Sequence, residues 1–254
     1  MLFALFVVVG VVYLMLPEEL LARAGGGGSY SSGGGSFHSS YSSSSGGGSE
    51  AGGVAILWAF IITVFVSITS FIAGLIVKGM IVRKNKRARA LLEKIDDTDP
   101  IWDREAIRAR IEEIYFAVQD AWTKRNQDIA REYMSERLYK KHKAQTDAMI
   151  ADGLINKLQR INLEDVMIIG VFDSKDDEKD RLKAVIFGGM VDFMWDEKSE
   201  TIINGSTDYS SFIEIWNFVR EGDEWVLDEI EQRVNSQSVK SAKVYSHLFQ
   251  RPAA

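Results

Sequence analysis

The run from Val54 to Val77 carries no charge over 24 residues and ends abruptly in Lys78, Arg83, Lys84, Lys86, Arg87 and Arg89, with no acid among them. As a helix rising about 1.5 Å per residue it spans roughly 36 Å, enough to cross a hydrocarbon core of about 30 Å with some tilt. A buried core helix is the competing reading, but the run offers only Thr and Ser as polar groups and so has no solvent face. The pattern predicts a transmembrane helix over 54–77. Lys and Arg collect on cytoplasmic flanks, which places everything after Val77 on the cytoplasmic or matrix side. The basic linker 78–99 reads either as a strip that binds anionic headgroups, at about 1 kcal/mol per cation near the surface, or as a topology determinant alone.

The start of the chain holds a second, shorter membrane signal. Leu2 to Leu16 is apolar for 15 residues and is followed by Pro17 and the triplet Ala22-Arg23-Ala24. Fifteen residues fall short of a comfortable span, and a small-x-small triplet suits signal peptidase, so 1–24 reads as a signal peptide cleaved after Ala24. No Lys or Arg precedes the apolar stretch, which keeps a short uncleaved membrane helix open as the alternative. Residues 25–53 contain 12 Gly and 11 Ser. Such a segment buries too little apolar surface to offset its ordering entropy and reads as a disordered linker or tail, with an end-to-end distance of about 30 Å.

From about Pro100 to Val234 the composition is that of one domain with its own core, followed by an extension over 235–254. Cysteine is absent from the chain, which removes disulfides and thiolate chemistry together. From Pro100 onward 29 acidic side chains stand against 22 basic ones, a net charge of −7. An acidic domain is a poor match for nucleic acid, which demands a concentrated basic face. Asp103 is placed to cap a helix whose apolar stripe is Ile107, Ile111, Ile114, Val118, Ala121 and Trp122. A second helical region covers 128–152, with Ile129, Tyr133, Leu138 and Met149 inward, Ser135 capping a fresh helix and Gly153 ending it. Strand-rich stretches then follow over Val166–Phe172, Leu182–Phe193, Phe212–Arg220 and Trp225–Ile230. Asp196–Glu200 and Glu221-Gly222-Asp223 read as hairpin connections, and Asn204-Gly205-Ser206 as a turn. Helices ahead of an antiparallel meander spell α+β.

Several blocks resemble a known family. Phe116-Ala117-Val118-Gln119-Asp120-Ala121-Trp122 is similar to the first-helix signature of the C-terminal domain of the mitochondrial inner-membrane translocase subunit 44. Arg131 to Tyr139, with His142 and Gln145, resembles that family's second block. Asp192-Phe193, Phe212 to Arg220, and Trp225 to Ile230 with Gln232 resemble its strand blocks, so the likeness runs from about Asp103 to Gln232. It implies a nuclear-transport-factor-2-like cone, in which helices close one face of a curved antiparallel sheet over a pocket. Mitochondrial members tether an import motor to the inner membrane and associate with anionic lipid such as cardiolipin. This chain departs from them in having a spanning helix, and it is similar to bacterial relatives with a signal-like start. The resemblance therefore implies a bacterial inner-membrane protein with a cytoplasmic C-terminal domain, linked to protein transport or membrane-protein assembly.

Two functional readings remain, a non-catalytic scaffold that binds a partner and a small-ligand sensor or isomerase-like enzyme that uses the pocket of the cone. They differ in whether a cavity lined by Trp122, Tyr133, Asp192 and Trp216 is open. Asp192 and Glu214 lie between apolar neighbours, where a raised pKa would suit a general base, but strand alternation equally lets them face solvent. The scaffold reading is preferred. No cofactor is called for, and His38, His142 and His247 lie too far apart in the chain to suggest a zinc cluster. His142 reads as a surface or partly satisfied helix residue, and Asp173, Asp176, Asp177 and Asp180 as a solvated loop. The strand Phe212–Arg220 is apolar on both alternating faces, Phe212, Trp216 and Phe218 against Ile213, Ile215 and Val219. A sheet of that kind must be covered twice, which suggests self-association or a protein partner on the second face.

Overall fold

The computed structural model describes residues 50–249. The signal-like segment 1–24 and nearly all of the Gly/Ser segment lie outside the described residues. Helix α1, Glu50–Ile95, runs unbroken for 46 residues. From Phe60 to Leu75 its apolar side chains point outward on every side, with Phe60, Phe65 and Phe71 each about two-thirds exposed. Its hydroxyls turn inward on the backbone: Ser67 Oγ donates to Thr63 O at 2.8 Å and Thr69 Oγ1 to Val66 O at 2.9 Å. A helix that satisfies its polar groups internally and displays hydrocarbon is built for lipid, and it is long and apolar enough to cross a membrane.

From Ile76 onward the chain forms a second compact unit. Residues 78–95 are helix, and one stripe of that helix is core: Ile81, Ala88, Leu92 and Ile95 are all buried. Spacings of seven, four and three residues keep them on one face. Lys84 Nζ donates to Ala242 O and Asn85 Nδ2 to Ile168 O at 2.9 Å, so this turn is also anchored by polar contacts.

Helix α2, Arg104–Thr123, is capped by Asp103, whose Oδ1 accepts from Ala106 N at 2.7 Å. The stripe Ile107, Ile111, Ile114, Val118, Ala121 and Trp122 is wholly buried. A 3₁₀ segment, Gln127–Tyr133, then kinks at Ala130. Its tighter period turns Ile129 outward, 39% exposed, and leaves Tyr133 half-buried, against the inward placement expected of both. Helix α3, Glu136–Asp152, starts at Ser135 and ends at Gly153, whose φ of +75° is the left-handed conformation that glycine adopts without a Cβ clash. Its buried face is Leu138, His142, Thr146 and Met149.

The sheet comprises β1 (Leu154–Asp173), β2 (Arg181–Asp196), β3 (Thr201–Glu221), β4 (Glu224–Glu231) and β5 (Val244–Ser246) in the order β4-β3-β2-β1-β5. All neighbours are antiparallel except β5, which runs parallel to β1. The fold is α+β, with helices packed on a curved antiparallel sheet. β1 and β3 are far longer than their apolar patterns indicate, because Leu154–Asp165 is mostly half-buried and Thr201–Ser211 mostly exposed, and both carry little hydrophobic signal. Both strands bulge opposite the same stretch of β2. On β3 the partner of Val191 is Tyr209 while that of Asp192 is Ser206; on β1 the register slips between Gln159 and Asn162, with Arg160 at φ +53°. Paired bulges bend the sheet there. Asn204-Gly205-Ser206 is consequently no turn between strands but part of β3. Gly205 has φ +80°, and a Cβ on it would stand 2.4 Å from Asp192 O.

Side chains pack on both faces of the sheet. One cluster joins α2, α3 and the sheet through Trp102, Trp122, Trp216 and Phe218. The other joins Ile169, Val185 and Ile215 to Ile81 from α1 and to Val239 and Ala242 from the C-terminal segment, which includes helix α4, Ser236–Ser241. The second apolar face around Ile215 is therefore covered by the chain itself, and self-association is not needed to bury it.

The loop between β1 and β2 is not simply solvated. Asp180 is 1% exposed, and its carboxylate lies 3.2 Å from the Arg220 guanidinium. Arg220 also contacts Asp99 and Asp177, and donates from Nε to Gly222 O at 2.9 Å, tying the start of the helical layer, one hairpin loop and the β3–β4 turn together. Removing one partner of a buried pair strands the other charge. Arg220→Ala should therefore lower stability by about 3–5 kcal/mol, read as the shift in the domain's unfolding transition in the detergent-solubilised full chain; an unchanged transition would refute this role.

Candidate functional site

The interior of the cone is the place where a pocket would form, and its lining comes from four elements. Trp122 enters from α2, fully buried, and its Nε1 donates to Asn156 Oδ1 of β1 at 2.8 Å. Asn156 Nδ2 in turn donates to Asp192 Oδ1 of β2 at 2.7 Å and to Phe193 O at 3.2 Å. Two of the four candidate pocket residues, Trp122 and Asp192, are thus joined through a third, Asn156, that sequence reasoning did not single out. Asn156 sits in the polar-looking half of β1, where Leu154-Ile155 and Leu158 are the only hint that one side turns inward. Trp216 on β3 is fully buried elsewhere in the same core, its Nε1 donating to Glu214 Oε2 at 3.0 Å and its ring 5.6 Å from that of Tyr115. Tyr133 is separate from this network; its ring lies under the Arg110 guanidinium at 4.7 Å and stays half-exposed.

His142 belongs to this interior and not to a helix surface. It is fully buried on α3, with its ring edge-on to Trp122 at 5.1 Å, and neither ring nitrogen has a hydrogen-bond partner. Burial, with a smaller push from Lys141, lowers its pKa to about 3, so it is neutral at physiological pH. Asp192 and Glu214 are 4% and 0% exposed, which rules out the solvent-facing placement that alternation allowed. The interior is filled by Trp122, Trp216, Phe218, Met190 and Met194, all at most 1% exposed. Four surface grooves among the described residues are lined by other side chains than Trp122, Tyr133, Asp192 and Trp216.

The basic stretch has a mixed fate. Lys78, Arg83, Lys86, Arg87 and Arg89 project into solvent, whereas Lys84 turns onto the domain to reach Ala242 O. Arg89 additionally lines a groove with Asn85, Arg104 and Arg108. Five cations therefore remain available on exposed helix faces, and the sixth is a structural contact.

The model of the Tim44-like domain family matches residues 88–232, from within α1 to just past β4. Among solved structures, the intermembrane-space region of the chloroplast protein ARC6 aligns over 52% of this chain and 98% of its own length, with 13% identity and a TM-score of 0.41. AclR from Streptomyces galilaeus aligns over 56% of this chain and 89% of its own, with 9% identity and a TM-score of 0.25. No curated protein is significantly similar in sequence.

A buried neutral histidine makes the domain acid-sensitive with a defined sign. The folded pKa of about 3 lies below the ordinary 6.5, so the unfolded chain binds the extra proton first. Stability from this site is complete above pH 6.5 and falls with acidification toward about pH 3, at up to about 1.4 kcal/mol per pH unit. Equilibrium unfolding between pH 7 and 4 should show that slope in the native protein and a shallower one in His142→Gln; equal slopes would exclude His142 as the cause. Asn156→Leu should cost about 1–3 kcal/mol, because it removes the buried partner shared by Trp122 and Asp192, and an unaltered melting temperature would contradict that.

Proposed function

This chain belongs to the Tim44-like domain family, and on that basis we propose a membrane-tethered, non-catalytic scaffold whose domain faces the cytoplasm of a bacterial cell and serves protein transport or membrane-protein assembly. The observation that carries the reading is the filled interior. Trp122 and Trp216 occupy the space that a sensor or isomerase would keep open, and the two acids there are held in hydrogen bonds to side chains of the core. Tethering rests on α1, the one described helix able to span a bilayer. Orientation rests on the cations that follow its apolar half. Lys78, Arg83, Lys86, Arg87 and Arg89 would then meet anionic headgroups where α1 leaves the membrane.

A protein partner is the natural complement of a domain without an open pocket. β4 pairs with β3 only from Ile215 onward, so Thr201–Glu214 presents an outer edge, with Ile202, Ile203, Tyr209 and Ile213 exposed along it. The edge carries no Lys, Arg or Pro, the residues by which proteins usually blunt such strands. A partner strand, or a second copy, would dock on this part of the sheet, away from the face over Ile215 that the chain covers itself.

The absence of native cysteine permits a direct topology test. Lys175→Cys, in the exposed β1–β2 loop, should resist a membrane-impermeant maleimide in intact cells and react after permeabilisation, while Ser45→Cys should react in intact cells. The opposite pattern would overturn the orientation.

A further inference from the structure

We infer that the groove between α1, α2 and β1 is a binding site for a single phosphate group. Its volume is about 230 Å³, and its lining brings Arg89 of α1 together with Arg104 and Arg108 of α2, beside Asn85 and Asp165. Three arginines line one small concavity of a domain that is acidic overall. Arg108 is held in place by donating from Nη1 to Val166 O at 2.8 Å, with Asp165 at 3.6 Å from its other terminal nitrogen. Arg104 pairs only with Glu105 at 3.4 Å, and that carboxylate is itself 75% exposed. Arg89 has no ion-pair partner among the described residues. The pairs that do exist are exposed and worth about 0–1 kcal/mol each, so an incoming phosphate can replace them at little cost. Planar guanidinium forks suit phosphate oxygens in the bidentate geometry that ammonium groups lack.

The surroundings restrict which phosphate fits. The adjoining groove, about 290 Å³, shares Arg108, Asp165 and Val166 with the first but adds Glu105, Glu112 and Glu164. The sign of the potential therefore reverses along β1, and a second negative group on the ligand would be driven against carboxylates. A phosphate monoester is favoured, and pyrophosphate, nucleoside triphosphates and nucleic acid are disfavoured. The same chemistry is offered by a free small phosphate ester and by the headgroup of phosphatidic acid. All the residues involved lie between Asn85 and Ile168, so the site stands whether or not the proposed orientation of the chain holds.

The full chain in phosphatidylcholine nanodiscs is titrated with inorganic phosphate, glycerol 3-phosphate and pyrophosphate by calorimetry, and in a second arm phosphatidic acid is included in the nanodisc and phosphorus NMR is recorded. The expected result is saturable binding of one monophosphate per chain, stronger than that of pyrophosphate and weakened about tenfold by Arg89→Gln or Arg104→Gln. Arg87→Gln, outside the groove, should leave it unchanged. Binding of the free esters identifies a soluble ligand, and a response confined to phosphatidic acid identifies a lipid headgroup; either supports the site. Absence of saturable binding in both arms, tighter binding of pyrophosphate, or full affinity in Arg89→Gln overturns it. Arg89 is exposed, so that variant retains the fold, and an unchanged melting temperature verifies this.

Discussion

A sheet that is apolar on both sides cannot be left with one side in water, and the rest of the domain is organised around that constraint. Trp216 and Phe218 need the layer of α2 and α3, while Ile215, Val185 and Ile169 need cover of their own. The second cover comes from two distant parts of the chain, Ile81 near one end of the domain and Val239 and Ala242 near the other. The contacts Lys84 to Ala242 O and Asn85 to Ile168 O hold these pieces together where their apolar groups meet. The domain is in this way closed in part by segments outside residues 88–232, the stretch that the family model matches.

That arrangement bears on function. The C-terminal half of α1 is not a passive connector, since its Ile81, Ala88, Leu92 and Ile95 are core residues of the domain. Past Leu75 the exposed hydrocarbon of the helix gives way to side chains that belong to the core of the domain. The filled interior points the same way. The network Trp122–Asn156–Asp192 and the pair Trp216–Glu214 use polar groups to fix the positions of large rings.

Strongly periodic segments could be read directly from the sequence. The cap at Asp103 and the stripe from Ile107 to Trp122 define α2 because each stripe residue meets the same core, and Ser135 and Gly153 bracket α3 through local hydrogen bonding and a left-handed turn that need no distant partner. Legibility failed where burial was mixed. The first half of β1 is of mixed burial and the first half of β3 is exposed, so neither alternates cleanly, Gly205 signalled a turn but occupies a bulge, and Ile129 lies outward because a 3₁₀ segment shifts its phase. Asp180 looked like one acid among several in a loop until Arg220 was seen to bury it.

The amino-acid sequence alone determined that a charge-free stretch long enough to span a bilayer precedes an acidic α+β domain, because length, charge and periodicity are local properties of the chain. Only the tertiary structure decided that the basic stretch continues as a core helix, that the second sheet face around Ile215 is covered from within, and that Trp122, Asp192 and Trp216 are buried. Each of those depends on which residues meet across more than a hundred positions, as Lys84 meets Ala242, and no local pattern encodes such a meeting.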